Sequence, residues 1–181
     1  MKQAQLLNSD ELERIIKRFA YQFTEPYDDL SNLAIIGMQT RGVFIAKRVC
    51  DLIKEITGTE IPFGVLDVTF FRDDFRTKMK MPEVQITDIP FDLFGKNVVL
   101  VDDVMYTGRT VRAAMDALLG FGRPNALKFC CLIDRGHREL PINPDYTGKY
   151  VPTHFSEEIQ VKLAEIDDED AVYIVQKGEA R

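Results

Sequence analysis

Neither a disulfide framework nor a cysteine metal centre can be built from this chain. It has three cysteines, Cys50 and the adjacent pair Cys130 and Cys131. The number is odd and no metal-type spacing is present. They read as reduced thiols of a cytosolic (cytoplasmic) protein, with the pair inside an apolar strand. No apolar run approaches the ~20 residues that span a bilayer, and residues 1–10 are too polar for a secretory leader. Positive charge is also in deficit. The formal net charge is −6, which argues against broad, unspecific nucleic-acid binding, because that relies on a basic surface. A local basic patch is still allowed. Internal repeats, low-complexity segments and linkers are absent, so residues 1–181 read as a single domain. Its 45% hydrophobic content is ordinary for a soluble α/β chain, and at this size roughly 70% of the unfolded surface is buried on folding.

What is present is an alternation of helical and strand patterns. Asn8 and Glu11 form a capping-box signature, followed by Leu12, Ile15, Ile16, Phe19 and Phe23 at helical spacing. Pro26, Asp28 and Asp29 end that helix. A strand over 33–36, a turn over 37–42 and a helix over 43–56 closed by Gly58 come next. A strand is expected over 65–71, then a charged, unpatterned stretch at 72–88 of a length that in compact domains is often functional. Further strands are expected at 98–101, 125–133, 161–163 and 172–175, with a helix at 111–119 and a loop-like insertion at 134–152. This order predicts a mostly parallel central sheet with helices on both faces.

The most informative run is Val98-Val99-Leu100-Val101-Asp102-Asp103-Val104-Met105-Tyr106-Thr107-Gly108-Arg109-Thr110. A buried strand, two carboxylates and a Thr/Gly turn lead into an amphipathic helix. Open α/β sheets bind ligands at the carboxyl ends of their strands, and a helix N-terminus offers free N–H groups to a phosphate. Gly108 permits a backbone conformation closed to other residues. The aspartates by themselves fit a charged strand end, or an acidic Mg²⁺ pocket, as well as a hydroxyl-binding pair. Both can face one ligand only where the strand has ended or bent, because neighbours on a strand point to opposite faces. A second βα turn, Gln39-Thr40-Arg41-Gly42, by itself reads as an ordinary connection.

The 98–110 run resembles the phosphoribosyl-pyrophosphate (PRPP) motif of type I phosphoribosyltransferases. Together with Leu66-Asp67-Val68-Thr69-Phe70-Phe71-Arg72-Asp73-Asp74, Gly122-Arg123-Pro124 and Ile133-Asp134-Arg135-Gly136-His137-Arg138-Glu139-Leu140-Pro141-Ile142, it looks like the PyrR family. Those proteins are bacterial pyrimidine operon attenuation regulators that are also uracil phosphoribosyltransferases. The resemblance implies a type I phosphoribosyltransferase fold with a small hood, the hood segment at about 134–160 and a mobile flap at about 72–88. It implies PRPP, uracil and UMP as ligands and Mg²⁺ carried by the substrate, with no confident side-chain ligand for the metal. Asp102 and Asp103 would hold the ribose hydroxyls. Val104, Met105, Tyr106, Thr107, Gly108, Arg109 and Thr110 would cradle the 5′-phosphate. Thr40, Arg41 and Gly42 would bind diphosphate in a loop that in such enzymes often carries a non-proline cis peptide; whether Thr40-Arg41 is cis is not written in the sequence. Arg72 would contact PRPP at the root of the flap. Ile133, Asp134, Arg135, Gly136 and His137 would form the base side, and no residue stands out as a general base.

The resemblance also raises binding of leader mRNA. Arg14, Lys17, Arg18 and Lys149 are the candidate contacts. Lys17, Tyr21, Pro26 and Asn143 depart from the residues expected of regulators there, and with the net acidity this weighs against RNA regulation. A PRPP sensor without catalysis is the third reading, and the intact Thr40-Arg41-Gly42 and Arg72 loops argue against it. Phe19, Phe23 and the apolar flanks exceed what one small core needs. With the resemblance, they point to a homodimer or higher homo-oligomer.

Overall fold

The computed structural model describes residues 3–68 and 86–176. Among these, five strands form a parallel sheet in the order β3-β2-β4-β5-β6: β2 Leu33–Met38, β3 Phe63–Leu66, β4 Asn97–Met105, β5 Ala126–Asp134 and β6 Tyr146–Tyr150. The helices are α1 Ser9–Thr24, α2 Arg41–Thr57, α3 Arg109–Phe121 and the short α4 Ala164–Asp167. Strands β1 Gln3–Leu7, β7 Glu157–Lys162 and β8 Ala171–Gln176 form a separate antiparallel sheet, order β1-β8-β7.

Alternation along the central strands sorts the core onto two faces. Leu33, Ile35, Val99, Val101, Cys130 and Leu132 bury against Leu12, Ile16, Phe19 and Phe23 of α1 and Ile45, Val49 and Ile53 of α2. Ala34, Ile36, Val98, Leu100 and Cys131 bury against Val111, Ala114 and Leu118 of α3. The helices therefore cover both faces, as the pattern implied. Cys130 and Cys131 fall on opposite faces of β5, and all three cysteines are free. Burial pushes the Cys50 and Cys131 thiols up to about 12.

The capping box forms as expected: the Asn8 side chain accepts the Glu11 N–H and Glu11 accepts the Asn8 N–H, both at 2.9 Å. Helix α2 ends at Gly58, whose φ of 73° is left-handed. Other expectations change. β3 stops at Leu66 rather than continuing to 71, and residues 69–71 lie outside the described residues. The segment 134–152 is not all loop, since Tyr146–Tyr150 pairs with β5 in the main sheet. Gly148 disguises that strand, yet the strand needs it: a Cβ there would lie 2.3 Å from the Leu132 carbonyl oxygen. The antiparallel sheet draws on residues 3–7, 157–162 and 171–176, so it joins both ends of the described chain. Phe19 and Phe23 are fully buried within this one chain, with Phe23 against Tyr146 at a ring separation of 4.9 Å. They are not surplus apolar surface and carry no argument for assembly.

Candidate active site

The site lies where β2 and β4 hand over to α2 and α3. The two strands are neighbours, in register from Leu33 with Asn97 to Gly37 with Val101. Beyond Val101, β4 continues to Met105 paired, among the described residues, with β5 alone. The aspartates therefore lie within the strand rather than past its end, but Val101 and Val104, three residues apart, pack in the same cluster, so the in-out alternation is broken across the pair. The turn at 39–40 and the first residues of α2 occupy the β2 side here, since β2 runs to Met38 and α2 begins at Arg41 rather than at 43. Gly42 makes this possible, because a Cβ would sit 2.4 Å from the Val101 carbonyl oxygen and 3.0 Å from Asp102 Cα. A Cβ on Gly37 would lie 2.4 Å from Val43 Cα. Gly42 thus brings the start of α2 into backbone contact with the aspartate strand, which connects the two motifs in space, while Gly37 lets α2 lie close on β2.

Two helices begin in this region, α2 after β2 and α3 after β4, on opposite faces of the sheet. Thr40 precedes α2 and Gly108 precedes α3, and neither supplies a side-chain cap. Gly108 has φ 91°, the left-handed conformation expected of it. The loop's cis peptide is Gln39-Thr40, one bond earlier than Thr40-Arg41.

Asp102 is 9% exposed and its Oδ1 accepts the Asp103 N–H at 2.8 Å. Oδ1 of Asp103 accepts the Val104 N–H at 2.8 Å. Burial pushes the Asp103 carboxyl above the ordinary range. Contact with Asp102, the Val104 N–H and attraction from Arg41 pull it only partly back. Asp102, Asp103 and Arg41 thus share one electrostatic neighbourhood. Val104 and Met105 do not reach a ligand through their side chains. Met105 is buried in the apolar core and Val104 packs on the opposite cluster, so both are spacers between the acids and the turn that opens α3. Thr107 Oγ1 accepts the Arg109 N–H at 3.3 Å, and Arg109 pairs with Glu139. Thr110 lies in the first turn of α3.

The loop after β5 folds onto this turn. Arg135, 4% exposed, stacks 4.2 Å over the Tyr106 ring, donates to Thr153 Oγ1 at 3.0 Å and to the Glu157 carbonyl at 2.7 Å. His137 Nε2 lies 2.6 Å from the Thr153 carbonyl, and its ring sits between Tyr106 (5.7 Å) and Phe155 (4.3 Å). Asp134 accepts the Gly136 N–H and pairs with Arg138. The side chains of Asp134 and Arg135 are therefore engaged within the protein. Much of the main chain expected to read a base is engaged too. The Asp134 carbonyl accepts from Val151, the Arg135 N–H donates to Met105, and the Arg135 carbonyl accepts from Thr153. Ile133 is interior to β5. Among the described residues, His137 alone of this group keeps its main chain unengaged, with φ 61° next to Gly136 at 78°.

Arg138, quoted in the motif but given no role, is the residue sequence reasoning missed. It donates to the Tyr106 carbonyl at 2.9 Å, the Ile142 carbonyl at 2.9 Å and the Gly136 carbonyl at 3.3 Å. Its spacing of four from Asp134 is the one local signal that could have found it. Arg72 and most of the expected flap at 72–88 lie outside the described residues.

The expected RNA residues partly converge. Arg14, Arg18 and Lys149 line one shallow cleft with Leu7 and Gly148, and Lys17 is exposed on the same helix. Arg18 donates to the Thr147 and Gly148 carbonyls at 3.0 and 2.6 Å, and Lys149 to the Leu6 carbonyl at 2.9 Å. Arg18 thus covers backbone of β6, and Lys149 reaches from β6 to β1. Among the described residues no cluster of three His, Cys, Asp or Glu side chains forms a metal centre, and no helix is long and apolar enough to cross a membrane.

The phosphoribosyl transferase domain family model matches residues 2–166. A relative named bifunctional protein PyrR, from Pelotomaculum thermopropionicum, is 48% identical over 178 residues, 98% of each chain. One of the same name from Thermus aquaticus is 48% identical over 174 residues, 96% of each. Among solved structures, a hypoxanthine-guanine phosphoribosyltransferase from Bacillus anthracis matches with a TM-score of 0.72 at 22% identity, over 95% of this chain and 98% of that one. The Trypanosoma cruzi hypoxanthine phosphoribosyltransferase gives 0.68 at 16%, over 96% and 97%. At such identities the structures share the fold alone. The relatives add the family: this chain is a phosphoribosyltransferase of the PyrR family.

Proposed function

We propose that this chain joins uracil to the phosphoribosyl unit of PRPP, giving UMP and diphosphate. One observation carries the reading: the start of α2, with Arg41, lies against β4 at two adjacent carboxylates, and β4 itself runs on into the turn at Gly108 that opens α3. Backbone N–H groups of 106–110 take the 5′-phosphate, and Asp102 and Asp103 take the ribose hydroxyls. Thr40, Arg41 and Gly42 take the diphosphate, with Arg72 at the root of a closing flap.

Attack by uracil N1 on ribose C1 as diphosphate departs passes through an oxocarbenium-like centre, by analogy with glycoside cleavage. The protein's part is to hold the partners in line and to place Arg41 where negative charge collects. The all-oxygen donor set, with a carboxylate disfavoured by burial, fits a hard cation brought in on PRPP. When bound, Mg²⁺ supplies charge withdrawal from the diphosphate. The base is read by the main chain of His137 beside the Tyr106 ring. The protein acts in the cytoplasm as a homodimer or larger homo-oligomer. The test is initial rates of UMP formation against parallel assays with hypoxanthine, guanine and orotate. Uracil is expected to be preferred, and preference for any of the others overturns the substrate.

The relatives are named bifunctional; taken with the resemblance to pyrimidine operon regulators, this favours a second role, uridine-nucleotide-responsive binding of leader mRNA. Arg14 and Lys17 are its cleanest probes, because Arg18 and Lys149 also hold the fold. A salt-dependent gel shift with and without UMP, lost in Arg14→Glu, supports this role; no shift removes it.

A further inference from the structure

The arginine at the diphosphate turn is held from the far end of the chain. Asp167, the last residue of α4, accepts two hydrogen bonds from one Arg41 nitrogen, Nη2, at 3.1 and 3.0 Å. The same carboxylate accepts from Lys162 Nζ and from the Leu163 N–H, each at 3.1 Å. Burial pushes this carboxyl up, but the Leu163 N–H, Arg41 and Lys162 outweigh it and hold it below the ordinary range. Asp167 is therefore an ionised group whose charge is divided among three donors.

A guanidinium has five N–H donors. Asp167 grips one nitrogen rather than two, so the usual two-nitrogen fork is not formed. The Arg41 Nε is buried and unpartnered among the described residues, and Nη1 likewise makes no hydrogen bond to them. A buried donor left unmade is costly, and the unused part of the fork suits a second anion. The contact is not needed to dock α4. Arg48, two turns along α2, already binds Glu165 and Asp170 on either side of Asp167.

We propose that Asp167 is a positioning residue: by holding Nη2 it fixes the Arg41 guanidinium at the diphosphate turn and couples the antiparallel sheet to diphosphate binding. This rests on the reading of Arg41 as a diphosphate ligand. Asp167 touches no substrate itself, and it lies one residue beyond the family-model match.

Steady-state kinetics on the full chain tests it. Asp167→Asn keeps the shape and removes the charge. It is expected to raise the KM for PRPP and the inhibition constant for inorganic diphosphate roughly 10-fold, short of the ~10²-fold that misplacing a positioned group can cost, with kcat little changed. In an Arg41→Lys background the same substitution is expected to leave both constants unchanged. Glu165→Gln, which loosens the Arg48 clamp, controls for general loosening of α4 and is expected to leave the KM for PRPP unchanged. An unchanged or lowered KM in Asp167→Asn overturns the proposal, as does an equal rise in the Arg41→Lys background or in Glu165→Gln. If Arg41→Ala leaves the KM for PRPP unchanged, the reading of Arg41 falls and this proposal falls with it.

Discussion

Single residues fix what the site can do, and Asp103 shows the conflict most clearly. Its folded-state pKa is raised above the unfolded value by burial, so the folded chain takes up this proton first. The resulting stabilisation is complete below the unfolded pKa and is lost as pH rises through the folded one. Where it forms, the ionised carboxylate destabilises the fold. Asp103→Asn removes that titration. Its melting temperature relative to the parent is expected to climb between about pH 4, near the unfolded value, and pH 7. Turnover is expected to fall on the order of 10²–10³-fold, as for loss of a preorganised charge. Thermal melts across that range check the first part, and a pH-independent difference contradicts it. Gly42 is constrained sterically rather than electrostatically. Gly42→Ala drives a Cβ into the Val101 carbonyl, and relieving it moves the turn off β4. A loss of about 1–3 kcal/mol with a raised KM for PRPP is expected from urea melts and kinetics; parent-like values contradict the backbone-contact account.

Among elements, the loops after β4 and β5 form one structure. The Thr107 carbonyl accepts the Glu139 and Leu140 N–H groups at 2.9 and 3.1 Å, and Arg138 bridges Asp134 to the Tyr106 carbonyl. Arg138→Ala strands Asp134. The side chain of Arg138 is 20% exposed, which discounts the ~3–5 kcal/mol of a fully buried pair to about 2–3 kcal/mol. Urea unfolding is expected to show that loss with an unchanged m-value, together with weaker binding of PRPP. Parent-like PRPP affinity would mean the two loops work independently. The 102–110 run itself was legible because its pattern is contiguous: strand, acids, glycine, helix. The coupling was not, because it rests on bonds between residues some 30 positions apart. Strands β1 and β6 were hidden for a related reason. Gln3 and Gln5 lie on an exposed strand, and Gly148 serves a close backbone approach, so neither strand shows a clear apolar alternation.

For the whole molecule, the alternating pattern was enough to place helices on both faces, because central strands buried on two sides read as apolar runs. It could not show how the chain ends meet. The antiparallel sheet needs β8 between β1 and β7, and the Asp167–Arg41 contact spans 126 positions. The same distance defeated the argument from Phe19 and Phe23, which fill this chain's own core once Tyr146 is beside them. The central claim is that one phosphorylated pentose bridges the 102–110 run and the 39–42 turn. A crystal structure of the protein with PRPP and Mg²⁺ measures it directly. The account predicts the 5′-phosphate on the N–H groups of 106–110, the ribose hydroxyls on Asp102 and Asp103, and the diphosphate against Thr40, Arg41 and Gly42. PRPP bound away from these residues would contradict it.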